Sequence, residues 1–275
     1  MMNIHRQASQ SDLKDQEWKW LKRYLPQPST VGSKGRPQEW PPREIVNALL
    51  YLLRTGCQWR MLPHDLPPWQ TVYYHFRKWC LSGLWGKINR LLREQVRQAA
   101  GREATPSAAI VDAQSVKTTL VKGVRGFDAG KKVNGRKRHI VVDTLGLLLL
   151  VMVTTGDVQD KPGAKQLLTK LFQSVALPRL ELLWADGGYG GQPFVNWVKM
   201  TFGWVWQVVK RNTAIKGFEV LARRWVVERT FGWLNNYRRL SKDYEELTES
   251  SETLIYLAMS HIMLRRLAGT NHFER

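Results

Sequence analysis

The stretch Leu180-Glu-Leu-Leu-Trp-Ala-Asp186-Gly-Gly-Tyr-Gly-Gly191 constrains the fold most tightly. Leu180, Leu182, Leu183, Trp184 and Ala185 make a short apolar run closed by glycines, which reads as a strand covered on both faces. Asp186 stands at its carboxyl end, where open α/β sheets place their ligand crevice. Alone, the same residues leave open a turn aspartate before a Gly-Gly bend, since Asp-Gly is a common turn signal. The stretch is not alone. Ala108-Ala-Ile-Val-Asp112 repeats the pattern, and Gln-Ser-Val-Lys117-Thr-Thr119 follows shortly after. From Arg223 to Arg239 a helical pattern carries a single interior acid, Glu228, among basic residues. Two strand-end aspartates and one helical glutamate would repel as bare charges and suit hard divalent cations, which take oxygen ligands. Two-metal phosphoryl transfer uses such a set.

The chain has 275 residues, with 42 Lys and Arg against 23 Asp and Glu, a formal charge of +19. That excess points to a polyanion, and nucleic acid is the usual one. A membrane is the competing anionic surface, but the longest apolar run, Leu147 to Val153, is strand-sized, and no membrane partner is expected. The first residues lack an apolar signal core, so a soluble cytoplasmic protein is expected. Cys57 and Cys80 have no metal or disulfide spacing and read as packing residues.

In chain order, helices are predicted over Ser11–Leu25, Arg43–Thr55, Leu66–Leu81 and Leu84–Ala99, with a basic Pro/Gly-rich loop over Pro26–Pro42. The third helix resembles a helix-turn-helix recognition helix, with Gln70, Tyr74, Arg77 and Lys78 as DNA-facing candidates; an ordinary packed helix is the equal alternative. Gly101 to Pro106 is a linker, which divides the chain into residues 1–103 and 104–275. The second part opens with the Asp112 strand, then a basic loop over Lys122–Arg138. Strands over Arg138–Asp143 and Leu147–Thr155 follow, then alternating helix and strand: a mixed α/β sheet with flanking helices. Arg136, Lys137 and Arg138, with Lys117, are candidates for phosphate contact, or a solvated charge run. Asp128, Asp143, Asp157 and Asp160 read as turn or cap residues, and His139 as a structural histidine. Thr248 onward is a terminal packing helix.

Four segments carry a family resemblance: Val111-Asp112 to Thr119, Asp128 to Gly146, Ala185-Asp186-Gly-Gly-Tyr189, and Arg224-Trp-Val-Val-Glu228-Arg-Thr-Phe-Gly-Trp233. Together they resemble bacterial insertion-sequence transposases of the DDE class, close to the insertion-sequence-five group. The resemblance implies a ribonuclease-H-like catalytic domain behind a small all-α, helix-turn-helix-like DNA-binding domain. It also implies Mg²⁺, with Mn²⁺ able to substitute, held by Asp112, Asp186 and Glu228. The implied activity is cleavage of double-stranded DNA at transposon ends, then joining of the 3′-hydroxyl to target DNA, by a homodimer or larger assembly on the bacterial nucleoid. The family's signature around the glutamate has a Tyr where Leu221 stands and a basic residue where Asn235 stands; Arg224 matches. Arg238 and Lys242 could restore basic charge on the same helical face as Asn235, completing the candidate DNA contacts with Arg224. A nuclease without strand transfer and an inactive DNA-binding regulator are the alternatives, and a Tyr-based recombinase using Tyr189 is a third.

Overall fold

The computed structural model describes residues 6–26, 40–119, 122–209 and 225–270. Four helices come first: α1 (Asp15–Leu21), α2 (Pro42–Thr55), α3 (Trp69–Leu81) and α4 (Leu84–Ala99). Pro42 opens α2, where its missing N–H costs nothing, and Gly56 closes it at φ 74°, accepting the left-handed cap that other residues resist. The 27–39 part of the expected basic loop lies outside the described residues. The connection from α2 to α3 runs over residues 56–68 through a 3-10 turn at Trp59–Met61, well beyond the turn of about three or four residues that defines a helix-turn-helix.

The sheet follows: β1 (Ala108–Lys117), β2 (Gly126–Asp128), β3 (Val133–Asp143), β4 (Leu148–Thr155), then α5 (Asp160–Ser174), β5 (Leu182–Ala185), α6 (Gln192–Phe202), β6 (Val205–Val208), α7 (Trp225–Asn235) and α8 (Thr248–Leu267). The spatial order is β4-β3-β1-β5-β6, antiparallel among the first three and parallel from β1 through β6, with β2 paired to the start of β3. This is the ribonuclease-H-like mixed sheet. The stretch expected as a basic loop up to Arg138 instead holds β2 and the first residues of β3. Their side chains bond across the sheet, so charge there does not mean solvent.

The two faces of the sheet carry different cores. Ala109, Val111, Leu183 and Ala185 pack under α5 and α6; Ile110, Val142 and Trp184 pack under α7 and α8. The alternation is the period of two that strands impose. The hairpin between β3 and β4 seats α7: a Cβ on Gly146 (φ 79°) would fall 2.8 Å from Thr230 Oγ1 and 2.9 Å from the Trp233 ring. Thr230 Oγ1 instead donates to the Gly146 carbonyl at 2.9 Å.

Helix α8 is the centre of the molecule rather than an appendage. It is buried on nearly every side from Ser250 to Leu264, with Ser250, Ser251, Thr253, Ser260 and His261 interior beside its apolar residues. It also blunts the edge strand β4: the Val153 N–H donates to Glu252 Oε1 and the Val151 N–H to Tyr256 Oη, while Arg93 donates to the Leu148 carbonyl. One apolar cluster runs without a break from Leu21 and Leu49 through Leu257 and Ile262 to Ile140 and Trp184. The helices of residues 6–99 therefore share a core with the sheet across the irregular stretch between Ala99 and Ala108. Deleting residues 1–100 is expected to bare α8 and give a fragment that aggregates and binds a hydrophobic dye, checked by gel filtration and dye fluorescence. A monomeric, cooperatively melting fragment would show that the shared core is dispensable.

No helix among the described residues is long and apolar enough to cross a membrane.

Candidate carboxylate centre and DNA-facing surfaces

Parallel pairing of β1 with β5 sets Ile110 opposite Trp184, so two residues further along Asp112 stands opposite Asp186. Asp186 keeps extended backbone (φ −78°, ψ 178°), so the strand geometry carries to it. Neighbouring strands lie about 4.8 Å apart, which sets the two residues on neighbouring lines where β5 ends; Asp112, expected at a strand end, is midway along β1, which runs on to Lys117 against β3. Each is half-buried and has one oxygen held by backbone: Ala113 N–H donates to Asp112 at 2.7 Å and Gly188 N–H to Asp186 at 2.8 Å. By parity Asp112 shares the face of Ile110 and Asp186 that of Trp184, which is the face α7 covers.

Glu228 lies in the first turn of α7, over that face. Its side chain falls with Trp225, Gly232 and Asn235 on the exposed stripe, whereas Val227, Phe231 and Leu234 bury themselves. Trp225 beside it is 43 % exposed. Among the described residues no group of three or more His, Cys, Asp or Glu side chains is drawn together closely enough to hold a metal ion. The chemistry of the donors fits a hard divalent cation, with Asp112 and Asp186 paired and Glu228 set apart on the helix.

Two neighbours stand beside the pair in other roles than sequence gave them, Asp160 read as a turn or cap residue and Lys137 as a phosphate contact. A Cβ on Gly188 would lie 3.0 Å from Asp186 Oδ1 and 4.0 Å from Asp160 Oδ2, so Asp160 at the start of α5 borders the pair. Lys137 Nζ ties Asp160 (3.0 Å) to Asp128 (3.1 Å). Burial works against the charge on Asp128, but hydrogen bonds from Ser115, the Lys131 N–H and Lys137 outweigh it and bring the carboxyl down to about 2. The signal available in sequence was topological: a helix starting after β4 begins at the same sheet edge where β5 ends. Asp143 is a turn residue as read, accepting from the Leu145 and Leu147 N–H groups and pairing with Arg97.

Tyr189 is 1 % exposed, and its hydroxyl has no hydrogen-bond partner among the described residues. Burial, then the charges of Asp112, Asp160 and Asp186, push the phenol far above its ordinary value. Buried under the sheet edge, the hydroxyl is not presented to a phosphodiester, which argues against the Tyr-recombinase alternative. His139 is interior too: Nε2 pairs with Thr154 Oγ1 at 3.0 Å, and burial pulls the ring down to about 4.

The basic triplet is where the sequence misled. Arg136, Lys137 and Arg138 are 1 %, 4 % and 1 % exposed, so they are neither a phosphate-facing surface nor a solvated run. Arg138 donates to the Leu240 and Lys242 carbonyls, and burial draws it down to about 10. Arg238 and Lys242 are exposed but do not share a helical face with Asn235, because α7 stops there and Arg238 sits in a 3-10 turn. Arg77 donates to Ser250 Oγ and pairs with Glu249, which fastens α3 to α8. Gln70, Tyr74 and Lys78, spaced four apart, do form an exposed face of α3. Lys117 is exposed and, with Arg125 and Lys132, lines a hollow of about 420 Å³ at the far end of β1. Arg224 lies outside the described residues.

The sheet order, with two antiparallel neighbours on one side of β1 and two parallel strands on the other, is that of a ribonuclease-H-like domain. The transposase DDE domain model matches residues 103–263, and the chain belongs to that family. A second model, a putative transposase of the IS4/5 family, matches residues 13–89. Among curated relatives, an uncharacterized 16.2 kDa protein of insertion element IS402 from Burkholderia cepacia is 28 % identical over 123 residues, 43 % of this chain and 76 % of that one. A putative transposase for insertion sequence element IS402 from the same organism is 31 % identical over 116 residues, 40 % of this chain and 54 % of that one. A crystal structure of the Mos1 mariner paired end complex with Mn aligns over 93 % of this chain and 87 % of that chain at 12 % identity, with a TM-score of 0.33. A likeness that slight adds nothing to the reading of the site.

Proposed function

We propose that the chain is a DNA transposase that cuts double-stranded DNA at the ends of its element and joins the resulting 3′-hydroxyl to target DNA. The observation that carries this is that Asp112 and Asp186 each follow by two residues the paired Ile110 and Trp184 of adjoining parallel strands, in a chain of the DDE family. Asp112 and Asp186 would hold Mg²⁺ or Mn²⁺, and Glu228 would complete the set from α7. Such an ion supplies charge stabilisation and an activated oxygen nucleophile in phosphodiester displacement. The backbone N–H groups of Ala113 and Gly188 fix one oxygen of each aspartate, which sets the direction of the other. Lys137 holds Asp160 beside Asp186, keeping a third negative charge at the edge without letting it drift into the pair. Lys117, Arg125 and Lys132 would take phosphates of the bound duplex, and Gln70, Tyr74 and Lys78 are placed to meet it along α3. A working assembly would contain at least two chains, one for each element end.

The deciding experiment supplies a duplex ending in a free 3′-hydroxyl of the element, a supercoiled target plasmid and Mg²⁺. Joined product is expected; cleavage of ends without joining would leave a nuclease, and binding with neither would leave a regulator. Binding itself should weaken steeply with salt, by about 10³-fold between 50 and 200 mM if some six phosphates are neutralised, as read by fluorescence anisotropy. A flat salt response would sink the DNA reading.

A further inference from the structure

Away from the carboxylates, a cavity of about 740 Å³ opens between the start of α3, the 3-10 turn before it and the segment leading into α8. Its walls include Trp59, Trp69, Tyr73 and Tyr244. Trp59 and Tyr73 meet edge to face at 5.1 Å, which leaves ring surface turned to the hollow, and Tyr73 is 39 % exposed. Arg60 stacks over Trp69 at 5.3 Å and Arg239 over Tyr244 at 5.3 Å. Arg239 is fixed by Glu245. Its lining holds carboxylates as well, Glu246 exposed and the buried Glu245 with Oε1 on Arg239, and the Thr119 hydroxyl is buried with no hydrogen-bond partner among the described residues.

That combination does not suit a phosphate, which the two glutamates would repel. It does suit a flat, uncharged ring bearing N–H groups: aromatic faces to stack on, guanidinium groups to sandwich it, carboxylate and hydroxyl oxygens to receive its amino protons. The volume exceeds one nucleotide and falls within the range of small-molecule sites. The location fits a strand already bound, because Thr119 lies seven residues beyond Asp112 on the β1 line, roughly 20 Å away, with exposed Lys117 between them.

Resting on the DNA reading above, we propose that this cavity binds the base of an unpaired nucleotide in DNA held on the basic face. Recognition is by stacking between Trp69, Tyr73 and Tyr244 and by hydrogen bonds to Glu245, Glu246 and Thr119. A single-stranded tail or a locally opened duplex would present such a base.

The test uses the full chain with EDTA, so that no cleavage intervenes, and two probes: a blunt duplex and the same duplex with a short tail carrying 2-aminopurine. The tailed probe is expected to bind about tenfold more tightly, the scale of stacking one base, and its fluorescence to be quenched on binding. Tyr73→Leu and Tyr244→Leu should erase both the increment and the quenching while leaving blunt-duplex affinity unchanged, and Tyr73→Phe should retain them. Tyr73 is exposed enough that its loss leaves the core intact, and an unchanged melting temperature verifies this. Equal binding of the two probes, or quenching that survives both leucine variants, overturns the proposal. A cavity filled by another part of the chain or by a second copy would give that result. Failure here with steep, salt-sensitive binding of the blunt duplex leaves the DNA reading standing; failure to bind either probe removes both.

Discussion

Asp186→Asn is expected to lower metal-dependent DNA cleavage by about 10³-fold while leaving DNA binding and melting temperature unchanged. The size follows from the several kcal/mol of charge stabilisation that a bound divalent ion contributes, at 1.36 kcal/mol per decade of rate. Asparagine is nearly isosteric, and its carbonyl can still accept the Gly188 N–H that Asp186 accepts at 2.8 Å, so the turn after β5 survives. What disappears is the negative charge facing Asp112. Asp112→Asn should behave alike, because parallel pairing makes the two positions equivalent across β1 and β5. Glu228→Gln is the sharper comparison. Its side chain stands on the exposed stripe of α7 rather than against the strands, so its loss cannot act through packing. If Glu228→Gln cuts at the wild-type rate while both aspartate variants are dead, the third ligand lies elsewhere, and Asp160 beside Asp186 is the next residue to change. Nicking of an end-bearing duplex in Mg²⁺ and in Mn²⁺, with a gel-shift control, reads all of these outcomes.

The aspartates were legible in sequence because each depends on local pattern alone. An apolar run ends in Asp, and at Asp186 the strand ends there too, whereas β1 runs on from Asp112 to Lys117 because β3 pairs it along its whole length. The strands and most helices were legible for the same reason; α4 and the start of α8 fall where the apolar spacing put them. The basic triplet was not. Arg136 finds Asp243 more than a hundred positions later, and Lys137 finds Asp128 and Asp160 on separate elements, so the charges are neutralised by residues no local window contains. The same limit hid the end of α7. Nothing near Asn235 stops a helix, but Tyr237 is fully buried, with its hydroxyl on His261, and Arg239 reaches Glu245; both pull the chain out of helical register. The shared core was hidden likewise, because a linker in composition marks where the chain turns, and says nothing of whether the pieces on either side touch.

Arg136→Met should therefore damage the fold and not the DNA contact. Five acceptors surround that guanidinium: the carbonyls of Val124, Glu245 and Glu246, the Ser251 hydroxyl and the Asp243 carboxylate at 3.1 Å. Methionine matches much of the volume but donates nothing. Asp243, 3 % exposed, would keep hydrogen bonds from Ser251 and the Glu245 N–H and the more distant charge of Arg138, but lose its ion-pair partner. Breaking one side of a buried pair costs about 3–5 kcal/mol, a large share of the roughly 5–15 kcal/mol that holds a typical domain together. At about 2–4 °C per kcal/mol for a chain of this size, a fall of roughly 10 °C in melting temperature is expected. The exposed Lys117 makes the opposite case. Lys117→Met should change stability by no more than about 0.5 kcal/mol, yet weaken binding to every DNA sequence and reduce the salt slope by about one. Were Arg136→Met to melt like the wild type and lose a unit of salt slope, β3 would have to present its charges outward, and the pairing of β3 between β1 and β4 would be wrong.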